Sequence, residues 1–148
     1  MAERVLANEA AAVELGRELA ARARPPLVVG LSGSLGAGKT TLVRAWLRAL
    51  GYTGPVRSPT YTLIETYDLP AFTVHHLDLY RLGDPEELEF IGVRDLFTPT
   101  AICLIEWPER GAGVLPPLDW ALRLEHAGTG RTVAGLPAAD SGCGAQVP

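Results

Sequence analysis

The sequence predicts an α/β protein, a sheet with helices on both faces in a single domain, and three observations carry that prediction. Short apolar runs of strand length, LVVGLS and AICLIE, alternate with helix-patterned segments. The first of these runs leads directly into a glycine-rich turn and a helical pattern. Further β-like segments follow, so strands outnumber the helices available to separate them.

The elements follow in order. Ala12, Leu15, Leu19 and Ala23 recur at three- and four-residue spacing, which predicts an amphipathic helix from about Glu9 to Arg24, with Asn8 as N-cap and Pro25-Pro26 as terminator. LVVGLSG, short, apolar and bounded by turn residues, is a buried strand. A helix from about Lys39 to Leu50 ends at Gly51. VRSPTYTLIETYDL opens as a loop and becomes a strand, AFTVHHLDLYRL is a second, and Leu69-Pro70 joins them as a hairpin. DPEELEFIGVRDLF is helical, with Asp84 as cap and Pro85 at its first position. AICLIEW is another buried strand, DWALRLEHA alternates Trp120, Leu122 and Leu124 on one face, and RTVAGL is a last strand. Residues 1–136 form the domain, and 137–148, small, polar and Gly/Pro-containing, a disordered tail.

Composition narrows the class. A chain of 148 residues, 47% hydrophobic and 20% charged, can build one real core. A net charge of −4 argues against a large basic face, and so against tight autonomous binding to nucleic acid. Contact with RNA through a partner or a small local patch stays open. Cys103 lies in an apolar run and Cys143 in the tail, without metal-ligand spacing, as expected of unrelated thiols in a reducing compartment. No signal-peptide core or 18-residue apolar stretch is present, so the expected location is the cytoplasm.

The chemistry centres on GSLGAGKT, from Gly33 to Thr40, which fits the phosphate-binding pattern G-x-x-x-x-G-K-S/T between strand and helix. Glycines let backbone N–H groups face an anion, and the helix N-terminus adds partial positive charge. Ser34, Leu35, Gly36, Ala37, Gly38, Lys39, Thr40 and Thr41 are therefore the nucleotide-binding residues. Lys39 is to reach the β- and γ-phosphates and Thr40 to ligate Mg²⁺.

An enzyme of this type also needs an acid near the metal. Asp78 closes TVHHLD and Glu106 closes AICLIE. The second run is the more hydrophobic and reads as the central strand, so Glu106 is assigned to Mg²⁺ and Asp78 to the attacking water. Spacing alone allows the roles to be exchanged. Thr60, in Ser58-Pro59-Thr60, is either a hydroxyl on a switch-like loop or part of an ordinary turn. His75 and His76 point to opposite faces of a strand, a poor metal pair, and are read as structural.

GSLGAGKTTLVRAWLRALG, SPTYTLIETY, HHLDLYRL, DPEELEFIGVRDLF and AICLIEWPERG together resemble, in order and spacing, the bacterial TsaE (YjeE) family, across about Val5 to Arg131. That resemblance implies a small P-loop ATPase with a three-layer fold, serving the synthesis of N6-threonylcarbamoyladenosine at position 37 of tRNA. It implies ATP and Mg²⁺ as cofactors, the TsaB–TsaD heterodimer as partner, and tRNA reached through that complex. It places Thr40 and Glu106 at the metal, Asp78 at hydrolysis, Thr60 on the switch-like loop and Arg131 near the nucleotide. It also marks a departure, because relatives often carry a threonine near the adenine where this chain has Ala12. Without an evident arginine finger, the isolated protein is expected to hydrolyse ATP slowly and to be stimulated by partners. A small-molecule kinase and a nucleotide-binding adaptor without hydrolysis are the competing readings.

Overall fold

The structure, a computed structural model, describes residues 2–59 and 62–137. Among these, seven strands form one sheet: β1 (Ala2–Leu6), β2 (Leu27–Ser32), β3 (Ile64–Asp68), β4 (Thr73–Asp78), β5 (Ala101–Glu106), β6 (Trp120–Ala127) and β7 (Gly130–Leu136). Their order is β1-β7-β6-β2-β5-β4-β3. The pairings of β2 with β5 and β6, and of β4 with β5, are parallel. The outer pairings, β3 with β4, β6 with β7 and β1 with β7, are antiparallel.

Side-chain alternation on the central strands builds the layers. Ile102 and Leu104 of β5, with Val29 and Leu31 of β2, join one cluster. Into it pack Leu15 and Leu19 of helix α1 (Glu9–Arg22), and Leu42, Val43, Trp46 and Leu47 of helix α2 (Lys39–Ala49). The other face collects Leu77, Cys103 and Ile105 against Leu88 of helix α3 (Glu86–Phe90) and Val93 of the following 3-10 turn. Helices thus cover both faces of the sheet centre, the three-layer α/β arrangement expected from sequence. Strand β5 is buried at every position because it lies between two strands and two layers.

Register then makes a site. Leu31 of β2 pairs with Glu106 of β5, and Asp78 of β4 pairs with the same Glu106. The C-terminal ends of three parallel strands are therefore level. The loop after β2 and both acids share the sheet edge where α/β proteins bind ligands.

Several elements differ from expectation. Strand β1 was not anticipated: AERVL alternates only briefly, and its pairing partner β7 lies at the far end of the chain. Helix α1 ends at Arg22, before the expected Arg24. The expected helix over DPEELEFIGVRDLF is two pieces, because Gly92 adopts φ 72° and breaks the hydrogen-bond ladder between α3 and Val93–Leu96. Asp84 still contributes at that start, its carboxylate accepting the Glu86 N–H at 2.9 Å. Cys103 is buried, and burial pushes its thiol up to about 12. Thr60 and residues 138–148, including Cys143, lie outside the described residues. No described helix is long and apolar enough to cross a membrane.

Candidate active site

Strand β2 ends at Ser32, and the chain turns through Gly33 to Gly38 before α2 begins at Lys39. The turn depends on glycine. Gly33 holds φ 137°, and a Cβ there would overlap the carbonyl oxygen of Leu124 on β6. Gly38, with φ 101°, is the N-cap of α2, and no side chain caps that end. The first-turn N–H groups of α2 consequently face the loop as an anion-binding terminus. Ala37 is fully buried, whereas Leu35 stands out into solvent.

Lys39 folds back under this loop. Its Nζ donates to the carbonyls of Gly33 at 2.7 Å and Ser34 at 3.0 Å, and lies 4.5 Å from the centre of the Trp107 ring. Burial lowers its pKa, opposed by the negative charges of Glu106, Asp78, Glu109 and Glu125. A buried ammonium resting on carbonyl oxygens is poised to exchange those neutral partners for an anion.

The two acids have different surroundings. Glu106 is 3% exposed, and its Oε2 accepts from the Thr40 hydroxyl at 3.0 Å and lies 2.7 Å from Nε2 of His76. Asp78 is 9% exposed, and its Oδ1 accepts the Tyr80 N–H at 3.0 Å. Burial raises the Asp78 pKa; the Tyr80 N–H pulls the other way, Glu106 adds to the rise, and His76 and Lys39 oppose it.

Trp107 follows Glu106 in a left-handed conformation, φ 57°, with its N–H donating to Leu31 at 3.1 Å. Its ring lies 5.1 Å from that of Tyr80, and the Arg110 guanidinium packs on both, at 5.5 Å and 5.3 Å. Arg131, on β7, donates from Nη2 to the Gly36 carbonyl at 3.1 Å and from Nη1 to Gly130 at 2.9 Å.

Two cavities open on these groups. One, of about 570 Å³, is lined by Lys39, Thr40, Ser58, Asp78, Glu106 and Trp107. The other, of about 210 Å³, lies between α1 and the loop, with Asn8, Ala12, Thr41, Leu124 and Thr129 in its wall. Gly38, Thr41 and Arg131 line both.

The site residues expected from sequence, Thr60 apart, are thus brought to one sheet edge. Sequence reasoning missed Tyr80 and read His76 as structural. A signal for His76 was present, since it stands two residues before Asp78 and so shares its face of β4. The donor set suits Mg²⁺: the Thr40 hydroxyl and the Glu106 carboxylate are hard oxygens held in contact. Among the described residues no cluster of three or more His, Cys, Asp or Glu is arranged to hold a metal unaided.

Comparison with known proteins adds an independent line. The family model described as "Threonylcarbamoyl adenosine biosynthesis protein TsaE" matches residues 6–133. A tRNA threonylcarbamoyladenosine biosynthesis protein TsaE of Haemophilus influenzae is 50% identical over 107 residues, 72% of this chain and 68% of the relative. The protein of the same description from Aquifex aeolicus is 38% identical over 125 residues, 83% of this chain and 86% of the relative. The crystal structure of YdiB from Bacillus subtilis superposes with a TM-score of 0.71 at 28% identity, over 89% of this chain and 82% of that one.

Proposed function

The chain belongs to the TsaE family, and from that premise we propose that it is the ATP-binding, ATP-hydrolysing subunit in the biosynthesis of tRNA N6-threonylcarbamoyladenosine. It acts in the cytoplasm with the TsaB–TsaD heterodimer and reaches tRNA through that complex. The observation that carries the reading is the convergence, at one sheet edge, of the loop on Lys39 with the Thr40–Glu106 pair, 3.0 Å apart. The family match favours this reading over the small-molecule kinase and the adaptor.

The polyphosphate occupies the larger cavity, where the loop N–H groups and the α2 N-terminus meet its charge. Lys39 releases the Gly33 and Ser34 carbonyls and turns to the β- and γ-phosphates. Thr40 and Glu106 would hold Mg²⁺, which neutralises charge on the phosphate oxygens. The smaller cavity takes the base, with only a methyl from Ala12 in that wall and Thr41 and Arg131 between the two compartments.

Asp78 orients the attacking water and accepts its proton. The water oxygen bonds to the γ-phosphorus as the bond to the bridging oxygen breaks, and ADP leaves with the electron pair. Burial strengthens Asp78 as a base, because it raises the carboxylate's affinity for the proton. Thr60 belongs to this proposal as a hydroxyl that senses the γ-phosphate. Lys39, Asp78, Glu106 and Thr60 are the residues of catalysis, and Ser34 to Thr41 with Arg131 those of binding.

An ATPase assay with and without the purified TsaB–TsaD pair and tRNA tests the reading. Slow phosphate release alone, rising at least tenfold with the pair, is the expected result. A full rate with a small acceptor and no partner supports a kinase instead, and binding without release under either condition supports an adaptor.

A further inference from the structure

His76 lies in the middle of β4 and is fully buried. A polar side chain there costs free energy unless it is hydrogen-bonded, and an apolar residue would fill the same space without that cost. Its Nε2 lies 2.7 Å from Oε2 of Glu106. Its Nδ1, also buried, has no hydrogen-bond partner among the described residues. A histidine serving packing alone would gain most from satisfying both nitrogens, but this one satisfies the nitrogen that faces the acid.

The hydrogen-bond inventory fixes the direction. A carboxylate oxygen can only accept, so Nε2 carries the hydrogen; Nδ1 meets no acceptor among the described residues, and a bare lone pair there is cheaper to bury unmatched than an N–H. Oε2 then receives two donors, Nε2–H of His76 and the hydroxyl of Thr40. Two donors match the accepting capacity of one carboxylate oxygen, and Oε1 is left as the oxygen for a cation. Thr40, for its part, keeps an oxygen lone pair free while its hydrogen is engaged.

The geometry points to His76 as a positioning residue, whose Nε2–H locks the Glu106 carboxylate in the rotamer that serves the metal. It acts through Glu106 and touches neither nucleotide nor metal. The inference rests on the assignment of Glu106 to Mg²⁺, and its test is chosen to separate the two.

The test is calorimetric titration of ADP into the full chain at graded Mg²⁺, comparing wild type with His76→Phe, His76→Gln and Glu106→Gln. Phe keeps the volume and removes the donor; Gln keeps an N–H near the place of Nε2. His76→Phe should raise the Mg²⁺ concentration for half-maximal strengthening of ADP binding by about tenfold or more. ADP affinity in EDTA should change less than twofold, and His76→Gln should recover most of the loss. If Glu106→Gln raises the Mg²⁺ midpoint and His76→Phe leaves it within twofold, the positioning role is wrong and the metal assignment stands. If Glu106→Gln leaves the midpoint unmoved, the metal assignment fails, and this role with it. Nitrogen-15 spectra of the wild-type imidazole need no variant to fold: the hydrogen is expected on Nε2, and finding it on Nδ1 alone overturns the proposal.

Discussion

Asp78 and Glu106 are cross-strand neighbours at the ends of adjacent parallel strands, yet the protein holds them in opposite ways. Glu106 gives one oxygen to two side-chain donors, from a helix and a neighbouring strand, and is fixed from two directions. Among the described residues Asp78 accepts from one backbone N–H, two residues along its own chain, and burial raises its pKa. A carboxylate clamped by donors suits a constant task such as holding a cation. A desolvated carboxylate with few partners suits a proton that comes and goes. Under the proposed assignment, equal placement with unequal support would let one sheet edge supply both a ligand and a base.

Both roles presuppose the loop, where a change removes binding and turnover together. Lys39→Ala should weaken ATP binding by at least about a hundredfold, read by calorimetry, because the buried cation proposed to meet the phosphates is lost. Gly33→Ala should do similar damage by another route. Its φ of 137° costs a side chain about 1–3 kcal/mol, and the new Cβ meets the Leu124 carbonyl, so denaturant unfolding should show the loss as well.

The next effect sharpens the contrast between the acids. If Asp78 must be ionised to accept a proton, turnover falls as pH drops through its raised pKa, above the ordinary aspartate range. Asp78→Asn should lower turnover about 10²–10⁴-fold and abolish that acidic limb, as a stopped assay across pH would record. An unchanged limb in this variant would assign the titration elsewhere.

The smallest effect concerns stability. Because the folded state binds the Asp78 proton more tightly than the unfolded chain does, the cost in stability is complete above the raised pKa, fades as pH falls from there, and is gone below the pKa of the unfolded chain. Asp78→Asn should therefore raise the melting temperature of the nucleotide-free protein at neutral pH by about 1–3 °C, and not at acid pH. A fall at neutral pH would mean that the charge is stabilised by its neighbours.

Local chemistry was legible in the chain, and long-range pairing was not. The loop, the helix after it and the buried strand at Glu106 follow from residue types a few positions apart. Strand β1 did not, because Val5 is largely exposed on a sheet edge and its partner β7 lies at the other end of the chain. The parity of His75 and His76 was visible, but the structural reading of His76 stopped short of its neighbour. That Glu106 approaches it depends on the register of β4 with β5, which no periodicity encodes. Gly92 was in view as a residue, yet its left-handed conformation is what splits the helical segment.

The division of labour between the two acids is most directly tested by measuring Mg²⁺-dependent ATP affinity and single-turnover hydrolysis together, for Asp78→Asn and Glu106→Gln, with the partner pair present. Crossed losses are predicted: Asp78→Asn binds Mg²⁺–ATP within about threefold of wild type and fails to turn it over, while Glu106→Gln needs at least about tenfold more Mg²⁺ to bind. Equal and large losses of binding in both variants would contradict it.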